Sequence, residues 1–216
     1  MKGIEIKSLR KKIKGIEIID NIDMNFEPGR IYGIHGRKFC GKSMILRSIS
    51  GLIIPDEGTI SIDGEVLYRD IKVPRSIGAL IETPSFLSRY TGYRNLSMLA
   101  KLDGTIKDED VKDAMMRVGL NPEEKKPYRK YSLDMRQKLG IANAIMGSPY
   151  IIILDEPTNA LNDSEVAALR TELQKLRNDG SIIIIADNNK YELEYLCDTI
   201  YEITAGKVTG CEVIGA

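Results

Sequence analysis

Excess charge of either sign is missing from this chain. Thirty-one lysines and arginines balance 31 aspartates and glutamates over 216 residues. Zero net charge removes the long-range field that draws a protein to nucleic acid, so no nucleic-acid partner is expected. Cysteine is scarce: Cys40, Cys197 and Cys211 are widely separated, with no C-x-x-C pair. That spacing argues against a disulfide framework or a thiolate metal site and fits reduced cytosolic thiols. No apolar run reaches the roughly 18 residues of a membrane span, and Met1-Lys2-Gly3-Ile4-Glu5 lacks the apolar core of a secretory leader. The expectation is a cytosolic chain that meets a membrane only through a partner. Residues 1–25 hold no aromatic at all, and histidine occurs once, as His35.

Isoleucine at strand spacing is abundant. It marks Ile4-Glu5-Ile6, Ile16-Glu17-Ile18-Ile19 and Ile22 to Phe26, before a Glu27-Pro28-Gly29 turn. A short β element at 58–64 and a buried strand at 77–81 follow. Between about 86 and 147 the period becomes helical, through Leu96, Leu99 and Leu102, then Val111, Met115 and Val118, then Leu139, Ala142 and Ile145. Strand, helix and strand return at 151–154, 164–178 and 181–186. Continuous apolar strands belong to a sheet covered on both faces. The predicted fold is α/β, with a mostly parallel sheet, an N-terminal antiparallel β part and an inserted helical subdomain. The length fits one domain over 1–216, with 1–85 and 148–216 as core and 86–147 as the helical subdomain.

The most specific segment is Gly36-Arg37-Lys38-Phe39-Cys40-Gly41-Lys42-Ser43, between the apolar run 31–34 and a helical stretch opening at Met44. Strand, glycine-bounded loop ending Gly-Lys-Ser, then helix is the phosphate-binding arrangement of P-loop NTPases. Loop N–H groups and the helix N-terminus point at nucleotide phosphates. Lys42 would reach the outer phosphates and Ser43 would ligate Mg2+. Downstream, Ile151 to Leu154 ends in Asp155-Glu156-Pro157. Asp155 is placed to hold Mg2+ beside Ser43, and Glu156 to act as general base on the attacking water.

These segments resemble those of ATP-binding subunits of ABC transporters over essentially the whole chain. Asp155 to Asn162 is similar to the family's D-E-P-T-x-G-L-D stretch. Tyr131-Ser132-Leu133-Asp134-Met135-Arg136-Gln137-Lys138-Leu139-Gly140-Ile141-Ala142 resembles its signature, L-S-G-G-x-x-Q-R-L-x-I-A. Ile77 to Pro84 matches a loop that usually carries glutamine and here carries Glu82. The resemblance implies an ATPase whose two copies, or one copy with another ABC subunit, clamp ATP head to tail. It also implies a transmembrane permease partner and a place on the inner face of the cell membrane. Expected nucleotide contacts are Gly36 to Met44, Glu82 and Ser132. Glu82 and the altered signature resemble subgroups that export peptides or antibiotics.

Departures from the family lie around the nucleotide. Asn188 falls at the position of a γ-phosphate-contacting histidine and cannot carry its charge. His35 reads as a packed residue beside the loop. Leu133 and Asp134 replace two glycines. An ionised Asp134 about 5 Å from a phosphate opposes it by about 3 kcal/mol, or about a hundredfold in affinity. Alternatively, Asp134 caps the helix predicted at 135–146. Ile13 falls where an aromatic would stack on adenine, and Phe39 replaces a glycine, costly if φ is positive. Asn162 also replaces an Asp. The expectation is therefore slow hydrolysis, and the alternative is a nucleotide-dependent regulatory or scaffold protein. The absence of a coiled-coil insertion and basic tail disfavours a DNA-repair or translation factor.

Overall fold

In the computed structural model, residues 3–214 are described. Strands β1 (Ile4–Ile13), β2 (Ile16–Phe26), β4 (Glu57–Ile62) and β5 (Glu65–Val66) form an antiparallel sheet in the order β2-β1-β4-β5. The β1–β2 turn is Lys14-Gly15, with φ of 49° and 81°, the mirror-image turn that matches strand twist. Register shifts at Ile6/Leu9 and beyond displace the alternation of β1.

The second sheet runs β10-β9-β3-β8-β7-β6. It comprises β10 (Lys207–Val213), β9 (Thr199–Thr204), β3 (Arg30–His35), β8 (Ile182–Asp187), β7 (Ile151–Asp155) and β6 (Ile77–Leu80). All neighbours pair in parallel except the β9–β10 hairpin. Its all-buried strands β7 and β8 split their side chains between two cores. Ile151, Ile153, Ile182 and Ile184 join the antiparallel sheet and α1 (Lys42–Ile49). Ile152, Leu154, Ile183 and Ile185 face the other helices. This is the two-sided burial that continuous apolar strands require.

Those helices are α2 (Gly92–Asp103), α3 (Asp108–Arg117), α4 (Leu133–Ile145), α5 (Asp163–Asn178) and α6 (Lys190–Leu196). The predicted helical stretches become α2, α3 and α4. In α2, Leu96 and Ala100 are buried while Leu99 and Leu102 face solvent. The α6 helix and the β9–β10 hairpin add to the strand–helix–strand expected after residue 150. Asn162 begins α5 as a full capping box, accepting from the Glu165 amide at 3.1 Å while Glu165 accepts from the Asn162 amide at 2.9 Å.

Candidate nucleotide site

The phosphate loop joins the buried end of β3 to α1. Its backbone needs special residues at two places. Gly36 and Gly41 each leave no room for a Cβ, which would sit 2.4 Å from Ile203 O and 2.8 Å from Ile18 O, respectively. Phe39 lies at φ 65° with its ring fully exposed, so the strained conformation anticipated for that position is present and no packing offsets it. Cys40 turns its side chain into the core, leaving only its backbone to the loop. Arg37 and Lys38 are exposed, and Met44 packs partly against the β-sheet core.

Lys42 is buried and its Nζ donates to the carbonyls of Gly36, at 2.6 Å, and Arg37, at 3.2 Å. The ammonium thus stands within its own loop, held by groups that a phosphate oxygen can replace. Ser43 Oγ donates to Asp155 Oδ2 at 2.7 Å, bringing the two expected metal ligands together. Burial pushes the Asp155 carboxyl above the ordinary range, the Ser43 bond pulls it down, and Glu156 next to it pushes it up again. A buried carboxylate with raised proton affinity is a group that a cation would stabilise.

Glu156 sits at φ 46° just past β7. Its amide donates to Ala186 O at 2.8 Å; its carboxylate accepts from Asn159 Nδ2 at 2.6 Å and Asn188 Nδ2 at 3.4 Å. Asn188 therefore comes to the carboxylate, as an uncharged donor. Glu82, also at positive φ, pairs with Arg47 of α1. A cleft of about 810 Å3 connects these groups, bordered by Lys42, Glu82, Glu156, Ile13, Phe39 and Leu133. No aromatic comes from β1 or its turn; Ile13 and Ile16 present aliphatic surface there.

Ser132 stands apart from that group. It is exposed at the start of α4, and its hydroxyl bonds Asp134. The helix begins at Leu133, two residues earlier than expected, so Asp134 lies in the first turn and is not the cap. The Ser132 hydroxyl lowers the Asp134 carboxyl despite some burial, and Lys138 Nζ stands 3.6 Å away, its charge shared with Glu165. The negative charge at the signature is thus partly answered within the chain. Sequence reasoning assigned no role to Gln137, although its segment was in view. Its Nε2 donates to the carbonyls of Glu156 and Pro157 at 3.0 and 3.1 Å, tying α4 to the end of β7. Nor did it foresee Arg47 on Glu82, which no local pattern signals.

The ABC transporter family profile matches residues 19–159. The chain is 41% identical over 211 residues to an uncharacterized ABC transporter ATP-binding protein, YybJ, of Bacillus subtilis, covering 98% of this chain and 97% of that one. It is 38% identical to the bacitracin transport ATP-binding protein BcrA of Enterococcus faecalis, covering 91% of this chain and 65% of the relative. It is 32% identical to a lantibiotic transport ATP-binding protein, SrtF, of Streptococcus pyogenes, covering 95% and 88%. The fold superposes on a bacterial ABC transporter cassette solved as a dimer, with a TM-score of 0.87, 23% identity and 99% of each chain covered. With the loop, the paired Ser43 and Asp155 and the carboxylate of Glu156 in one cleft, and with these relatives along nearly its whole length, the chain belongs to the ABC transporter family as an ATP-binding ATPase.

Proposed function

We propose that this chain binds MgATP at a head-to-tail dimer interface and couples its slow hydrolysis to export of peptides or peptide-like antibiotics by separate permease subunits. The carrying observation is the Ser43–Asp155 hydrogen bond beside Glu156 at the end of β7. A hydroxyl and a carboxylate are hard oxygen donors that suit Mg2+, which takes few protein ligands and completes its shell with phosphate and water. When bound, the cation would neutralise developing phosphate charge. Lys42 exchanges its loop carbonyls for phosphate oxygens, Gly36 to Met44 supply backbone donors, and Glu156 takes a proton from the attacking water.

Slow turnover follows from three features: an uncharged Asn188 beside Glu156, an ionised Asp134 in the signature and an aliphatic seat for adenine. In a homodimer both sites carry them; a more complete ABC subunit as partner would restore one side. The export substrate is supported by likeness to proteins named for bacitracin and lantibiotic transport. Among the described residues no helix is long and apolar enough to cross a membrane. Attachment to the inner face of the membrane through a permease is part of the same proposal.

A titration of ATP with and without Mg2+, on wild type and Lys42→Ala, tests this reading. The expected result is Mg2+-dependent binding lost in the variant. The regulatory alternative is favoured if ATP binds tightly and no phosphate is released even with the permease present.

A further inference from the structure

His35 has no part in the nucleotide contacts assigned above, yet it stands in the middle of the sheet's functional edge. It ends β3 immediately before Gly36, in register with Asp187 of β8 on one side and Glu202 of β9 on the other. Its Nδ1 lies 2.5 Å from Glu202 Oε2, and its Nε2 lies 3.3 Å from the backbone carbonyl of Asn188. A carbonyl only accepts, so Nε2 carries a proton. Burial raises the Glu202 carboxyl, but hydrogen bonds from His35 and Lys190 outweigh it and leave it below the usual range. The ring thus has a fixed partner at each end, the Glu202 carboxylate at Nδ1 and the Asn188 carbonyl at Nε2. Lys190 of α6 anchors the outer end, 3.3 Å from Glu202 and 3.0 Å from Glu212.

The inner end of this chain of contacts reaches the chemistry. Asn188 occupies the bend between β8 and α6 and is exposed. The flanking residues are held by their own side chains: Asp187 Oδ1 accepts from the Asn189 amide at 2.8 Å, and Asn189 Oδ1 accepts from the Tyr191 amide at 3.1 Å. Asn188 itself meets His35 through its carbonyl and Glu156 through its amide, the latter at 3.4 Å. A hydrogen bond that long is weak, and its direction depends on the backbone that carries the amide.

We propose that His35 is a positioning residue for the hydrolytic step: anchored on Glu202, its ring clamps the Asn188 carbonyl and thereby sets where the Asn188 amide meets Glu156. This rests on the role given to Glu156 under Proposed function. The chain's single histidine thus acts from behind the bend, on the residue whose amide meets Glu156.

Two replacements separate the ring's contacts. His35→Gln keeps a donor near the Nε2 position, and His35→Asn keeps one near Nδ1 only. MgATP hydrolysis by the full chain with its permease is measured alongside hydrogen exchange of the 186–190 segment in the nucleotide-free protein. The loss of one supporting hydrogen bond predicts that His35→Asn lowers kcat about fivefold, with KM for ATP within about twofold of wild type. His35→Asn also speeds exchange at 187–189, while His35→Gln stays within about twofold on every measure. Asn188→Ala lowers kcat to a similar degree, and adding His35→Asn to it lowers kcat no further. Equal losses in the Asn and Gln variants, a change in KM alone, additive effects in the double variant, or unchanged exchange would each overturn the proposal. If wild type releases no phosphate, the reading of Glu156 fails and the catalytic role of His35 with it. The exchange comparison then still decides whether the clamp exists.

Discussion

Asp155 shows how a site residue can oppose the fold that carries it. Burial raises its carboxyl above the ordinary value, so between the ordinary and the raised value the folded protein binds more protons than the unfolded chain. Stability contributed at this residue is therefore greatest at low pH and is lost as pH rises through that window. Asp155→Asn is expected to raise the melting temperature of nucleotide-free protein at neutral pH while abolishing the Mg2+-dependent stabilisation by ATP. Thermal melts across pH, with and without MgATP, check both signs. Phe39 is a second such residue. A left-handed Phe costs about 1–2 kcal/mol, and glycine returns about 0.5–1 kcal/mol of that in chain entropy. Phe39→Gly should leave stability unchanged or raise it by up to about 1.5 kcal/mol, measured by urea unfolding. A stacking surface opposite adenine is worth roughly 1 kcal/mol. Ile13→Tyr should accordingly tighten ATP binding about fivefold, read by nucleotide titration.

Elements meet through contacts that no local pattern announces. The α3–α5 contact turns on Glu172, whose side chain is only 4% exposed and whose Oε1 is held by Arg117. Replacing Arg117 with Met leaves a buried carboxylate with only the more distant Lys175, 3.6 Å away. The expected loss is about 3 kcal/mol, seen as a lower urea midpoint with unchanged slope. Much of the element order was legible in the sequence, for a physical reason: the short, isoleucine-rich runs Ile151 to Leu154 and Ile182 to Ile185 have the length and β-branched content of strands covered on both faces. The phosphate loop and Asp155-Glu156 were legible because their chemistry is local. Arg47–Glu82, Gln137 on the Glu156 carbonyl and His35 between Glu202 and Asn188 join residues far apart in sequence, and only the folded sheet edge brings them together. Reading Asp134 as the helix cap places the start of α4 two residues late, because Ser132 holds the cap position.

Across the whole molecule, two cores on opposite faces of one sheet hold a cleft where α1, the end of β7 and the start of α4 converge. On the proposed reading, Lys42, Ser43, Asp155 and Glu156 supply the phosphate and metal groups there, while Ile13, Asn188 and Leu133-Asp134 stand where the family has an aromatic, a histidine and two glycines. That division predicts an ATPase that binds nucleotide through its phosphates and turns over slowly. Phosphate release from MgATP by the chain with its permease, compared with Glu156→Gln, tests this most directly. The prediction is slow but measurable release in wild type and loss of release in the variant with ATP still bound. Release at an equal rate in both proteins would contradict it.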